Sequence, residues 1–170
     1  MSYSIKQHKH NFAIWTAARA AQRGYASTEV IGEAIKASDL QNFAEKPEVN
    51  SQEEFDVQHK VLANQIMKSL ESRVIPCTYG RAAKIIAIYL KTFVIIDQSN
   101  LAKGIEFIHP PIDRILLHNL HNEVDNTLKL NNYSWTKIEE NKYFELIEKL
   151  KTLIPEGKPF WYLEKDWSVE

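Results

Sequence analysis

Glycine is scarce in this sequence, five residues in 170, and cysteine scarcer still, with Cys77 alone. So few glycines argue against a doubly wound α/β protein or a β-sandwich, which need many glycine-built turns. A single cysteine excludes an internal disulfide and suits a reducing, cytoplasmic setting. Net charge is lacking too: 21 Lys and Arg stand against 22 Asp and Glu, a formal −1. Whole-chain electrostatics therefore do not draw the protein to a polyanion, and any basic site must be local. No apolar run reaches bilayer length; the longest, residues 85–96, is interrupted by Lys91. The first ten residues lack the apolar centre of a secretory signal. Walker-type, GxGxxG, CxxC, HExxH and GxSxG patterns are all missing. Their absence argues against the familiar phosphate cradles and zincin chemistry. The expectation is a chain with no cofactor, no metal and no membrane partner.

What is present reads as helix. Hydrophobic residues make up 44% of the chain, enough for a sizeable core. Residues 11–23 are Ala-rich and close at Gly24, suited to the left-handed residue after a helix. Thr28 is placed to cap a short helix carrying Val30, Ile31, Ala34 and Ile35 inward. Residues 41–50, with Pro47, read as loop. Ser51 and Glu54 have capping-box spacing, and Phe55, His59, Leu62, Ile66 and Leu70 follow in steps of three and four. Residues 81–96 are apolar on most faces, which predicts a buried central helix, although the β-branched end at 92–97 also suits a strand. Pro110 and Pro111 read as the start of the next helix. Thr136 and Glu139 repeat the capping-box spacing before a helix lined by Tyr143, Phe144, Ile147 and Leu150. Phe160, Leu163 and Trp167 suggest a docked final turn. The expected architecture is all-α: six to seven helices around residues 81–96, as one domain, with residues 1–50 as a candidate helical annex.

The stretch most informative about chemistry runs from Ile75 to Leu120. It holds an aliphatic-Pro turn (Ile75, Pro76), Gly80, then Lys84 early on the apolar helix. Downstream come His109, Pro110, Pro111, Ile112 and Asp113 at a helix start. This order resembles the helix-hairpin-helix DNA glycosylases, the 8-oxoguanine branch in particular, over residues 75–120. Cys77 to Gly80 stand where that family has a Gly-x-Gly turn. The resemblance implies a DNA-repair glycosylase or lyase, with Lys84 as amine nucleophile and Asp113 as the assisting carboxylate. It also implies DNA contacts from Tyr79, Gly80, Arg81, Lys91 and Arg114. The chemistry is coherent, because an amine attacks a sugar carbon only when neutral, and an apolar setting favours the neutral form. Between positions 73 and 103 the cations Arg73, Arg81, Lys84, Lys91 and Lys103 oppose only Asp97, a local basic zone for phosphates.

Each of these residues also has a plainer role. Asp113 suits a helix N-cap, and Lys84 suits a side chain that runs its stem along the core and its head to water. His59 lies on an apolar stripe and reads as a core histidine. His118 and His121 share a helix face but lack a third metal ligand in the pattern. His8, Lys9 and His10 read as a mobile terminus. Trp15, Trp135, Trp161 and Trp167 divide between core and base-stacking readings. Residues 160–163 supply an aromatic patch for a protein partner, so a non-catalytic interaction module stands beside the enzyme reading. The oligomeric state is left open.

Overall fold

The computed structural model describes residues 3–97 and 103–166. Among them the chain is all-helical, with no strand. Helix α1, Ile5–Ala21, begins six residues before the expected start, because Ser4 Oγ accepts a bond from Gln7 N at 3.2 Å and caps it. The expected mobile terminus is therefore helical. His10 is buried, its Nδ1 2.6 Å from the Tyr89 hydroxyl. The inner face of α1 is built of small residues, Ala13, Ala17, Ala18 and Ala21, which let it lie close along α5. Gly24 takes the left-handed conformation that ends the run, at φ +63°.

Helix α2, Thr28–Lys36, is capped by Ser27 rather than Thr28. The expected loop at 41–50 instead opens with a short helix, α3, Leu40–Glu45, because Leu40 and Ala44 sit one turn apart and both are buried. Pro47 follows its end, and the chain continues through tight turns, with Glu48 N bonded to Lys46 O at 2.8 Å and Val49 N to Pro47 O at 3.0 Å. Helix α4, Gln52–Glu71, starts on Ser51 as its spacing predicts, and Glu54 reaches back to Asn50 N at 2.8 Å. The turn that follows it closes at Val74, which adopts φ +62°.

Helix α5, Tyr79–Leu90, is the buried centre, contacted by α1, α4 and α7. The strand alternative for 92–97 is not adopted. Lys91–Ile95 continues the helix as a wider π turn that puts Phe93 and Val94 in the core. Pro110 and Pro111 lie in the extended lead-in, and Asp113 caps α6, Arg114–Glu123. Thr136 is not the cap of α7, Glu140–Lys151; that position falls to Glu139, without a side-chain cap bond. Thr136 instead offers its carbonyl to Thr78 Oγ1 at 3.0 Å, tying the 134–138 segment to the start of α5. Phe160–Glu164 forms a short 3-10 turn with Phe160 and Leu163 buried. Trp167 lies outside the described residues. Each large buried side chain of this core contributes about 1.5–3 kcal/mol. No helix among the described residues is long and apolar enough to cross a membrane.

Candidate functional site

Lys84 lies in the second turn of α5, a helix with almost no polar surface. Its stem is packed in the core, and only 9% of the residue is exposed. The amine has two neighbours. Nζ stands 3.3 Å from Asp113 Oδ2 and 4.4 Å from the centre of the Trp135 ring. Asp113 is held by its own helix: Oδ1 accepts a bond from Leu116 N at 3.0 Å. The N-cap role and the pairing with Lys84 therefore coexist, one on each oxygen. Arg81, one turn before Lys84, shares Trp135 at 5.9 Å and lies over Tyr25 at 3.9 Å. Tyr25, Arg81, Trp135 and Lys84 thus alternate ring and cation, and the ladder ends on the carboxylate of Asp113.

A cleft opens beside Asp113, walled by Pro111, Leu116, Leu120, Leu163 and Glu164. Its volume of about 20 Å³ holds a single water, not a nucleobase. Lys84 is not among the residues lining it. Glu164 is largely buried; desolvation pushes its carboxyl above the ordinary range, against the pull of Lys91 and with a further push from Asp113. Lys91 Nζ is 2.8 Å from Glu164 Oε1.

The residues expected to meet DNA are dispersed. Tyr79 is 1% exposed, its hydroxyl sharing a 2.8 Å hydrogen bond with His59 Nδ1. Gly80 is also buried and donates its N–H to Ile138 O at 3.0 Å. A Cβ at Gly80 would lie 2.0 Å from the Trp135 carbonyl oxygen. This glycine serves the close approach of the 134–138 segment, and its amide is not open to a phosphate. Arg81 is half-buried, whereas Arg114 is exposed beside Ile115, His118 and Asn119. The basic zone is weaker than its sequence, since Lys84 and Lys91 each face a carboxylate brought in from downstream. The aromatic patch at 160–163 folds inward: the Phe160 ring sits 5.2 Å from that of His109. His118 Nε2 pairs with Asn122 Nδ2 at 2.8 Å. Among the described residues no group of three His, Cys, Asp or Glu is placed to hold a metal ion.

A second polar assembly was not singled out from sequence. His109 lies in the core between Asp56 Oδ1, 2.9 Å from Nε2, and the Tyr143 hydroxyl, 3.0 Å from Nδ1. His59 stacks on Tyr143 at 5.4 Å and 9°. Burial lowers the pKa of both histidines, although for His109 the Asp56 bond opposes the shift. Burial works against the Asp56 charge, yet His109, Gln52 and Lys151 together hold its carboxyl below the ordinary value. The neutral His109 donates from Nε2 to the carboxylate and accepts from Tyr143 at Nδ1, which satisfies both nitrogens. The only sequence signals were His59 on an apolar stripe and Tyr143 on another; nothing in the spacing marks Asp56 and His109 as partners.

Fold and site together define a class: an all-helical protein with a nearly buried lysine paired to a helix-capping aspartate. No family model, no curated protein and no solved structure matches the chain.

Proposed function

We propose that the chain is a DNA glycosylase or lyase that works through Lys84 and Asp113. One observation carries the reading: two groups 29 positions apart meet at 3.3 Å, with the aromatic face of Trp135 beside the amine. In the reaction the lysine first passes a proton to Asp113 Oδ2. Its lone pair then bonds to C1′ of the sugar as the glycosidic bond breaks. The electron pair leaves with the base, which takes the proton from Asp113. Transfer of one nitrogen proton to O4′ opens the sugar ring and leaves a protonated imine between Lys84 and C1′. Arg81 and the exposed Arg114 are the residues suited to neighbouring phosphates. Because the cleft beside Asp113 holds only one water, entry of a base requires the 160–166 segment to move.

The test is reductive trapping. The protein is mixed with duplex DNA bearing an abasic site or 8-oxoguanine, and borohydride is added. Borohydride delivers hydride to the imine carbon and makes the link permanent. A covalent adduct is expected with the wild-type chain and none with Lys84→Ala. Absence of an adduct across a panel of lesions overturns the reading and leaves a non-catalytic helical module.

A further inference from the structure

Helix α1 is apolar on two sides. One side is the alanine face on α5; the other points to water. Ile5, Phe12 and Trp15 are 77%, 54% and 56% exposed. With His8 and Arg19 they recur at 5, 8, 12, 15 and 19, alternating steps of three and four that make one continuous stripe. The Phe12 and Trp15 rings stack on each other, with centroids 5.9 Å apart and planes at 23°. Neither ring serves the core. Exposed apolar residues scattered singly need no explanation, but an ordered stripe of them does.

Charge identifies what covers the stripe. No Asp or Glu occurs before Glu29, whereas Lys6, Lys9, Arg19 and Arg23 lie in the same stretch. Lys6 and Lys9 are taken up by Glu45 and Asp97 at the other end of the helix. Arg19 and Arg23 are exposed at the end nearer Gly24. That end leads directly into Tyr25, which lies on Arg81, and Arg81 shares Trp135 with Lys84. Stacked rings flanked by arginines suit unpaired bases on a phosphate backbone.

We infer that the outer face of α1 is a docking surface for an unpaired DNA strand, with Phe12 and Trp15 taking bases and Arg19 and Arg23 taking phosphates. The inference rests on the glycosylase reading for the choice of DNA as polymer, but not on Lys84 reacting.

The experiment measures fluorescence anisotropy of a labelled oligothymidine with the full chain at several salt concentrations. Phe12→Ala/Trp15→Ala is expected to bind about ten-fold or more weakly than wild type. Arg19→Glu/Arg23→Glu is expected to flatten the slope of log affinity against log salt by about 1.4. All four residues are exposed, and thermal melts of the variants check that the fold is kept. Binding through α1 without any borohydride adduct would remove the glycosylase reading and leave this one standing. Equal binding by wild type and the aromatic double variant overturns the inference. So does a result in which the double variant loses sedimentation as a dimer, or binding to phosphatidylserine vesicles, instead of oligonucleotide binding.

Discussion

Acid should weaken this fold well before its carboxylates titrate, and His59 should be the principal cause. The ring is wholly buried, stacked on Tyr143, with Nδ1 on the Tyr79 hydroxyl and Nε2 without a partner among the described residues. Burial, then the neighbouring His109, drives its pKa well below the ordinary value. In the unfolded chain the same ring takes up a proton near pH 6.5. The folded-state pKa is thus the lower of the two. Stability is full above the unfolded value and falls as pH drops below it. For a histidine that stays neutral when folded, the loss between about pH 7.5 and about pH 5.5 is close to 1.4 kcal/mol. His109 is also shifted down, but its bond to Asp56 limits the shift. The pair together therefore loses about 1.4–2.7 kcal/mol over that interval. Glu164 has the opposite sign, because its carboxyl is raised in the fold, so acid relieves its burial. A substitution at His59 isolates its own share, leaving those of His109 and of His10, whose pKa burial also lowers. Urea unfolding across this range should show a smaller pH dependence in His59→Gln than in wild type, by about 1 kcal/mol or more. The Gln variant will be less stable at neutral pH, so the comparison is of slopes. Identical slopes would refute the assignment of the loss to a buried neutral His59.

Three other outcomes follow from local geometry. Asp113→Ala removes a helix cap and leaves Lys84 without its carboxylate, so a loss of about 2–3 kcal/mol is expected by urea titration. Asp113→Asn keeps the acceptor for Leu116 N and should cost visibly less, and equal losses would mean the cap is unimportant. Gly80→Ala drives a methyl into the Trp135 carbonyl and should destabilise by about 1–3 kcal/mol, with a near-UV dichroism change as Trp135 moves. Val74→Gly relieves a β-branched residue held at φ +62° and should raise stability by about 0.5–1 kcal/mol; a lower melting temperature would contradict that strain.

Much of the helical frame was legible because periodicity and caps report directly on local structure. Ser51 with Glu54, the stripe from Phe55 to Leu70, Gly24 after α1 and the apolar run of α5 each declare themselves within a few residues. The errors fall where a local pattern has several solutions. Thr136 has the spacing of a cap, but its carbonyl is claimed by Thr78, a partner 58 positions away. Trp15 divided between a core and a stacking reading and lies half-exposed, because the alanines of α1 take the inner face where the helix lies close to α5. The pairing of Lys84 with Asp113 was implied by the resemblance and not by any spacing in the sequence; the two meet at 3.3 Å. Trp135 beside them was not expected, since nothing near Trp135 in sequence points to α5. The Asp56, His109 and Tyr143 assembly joins three distant segments and has no local signature at all.

The two oxygens of Asp113 have different duties, and this shapes what an incoming ligand would meet. Since Oδ1 is fastened to the backbone of α6, a guest that draws the amine of Lys84 aside frees only Oδ2. The carboxylate stays aimed where it was, and α6 keeps its first turn. Partner exchange at this residue is therefore local: a charge is handed over while the scaffold around it stays put.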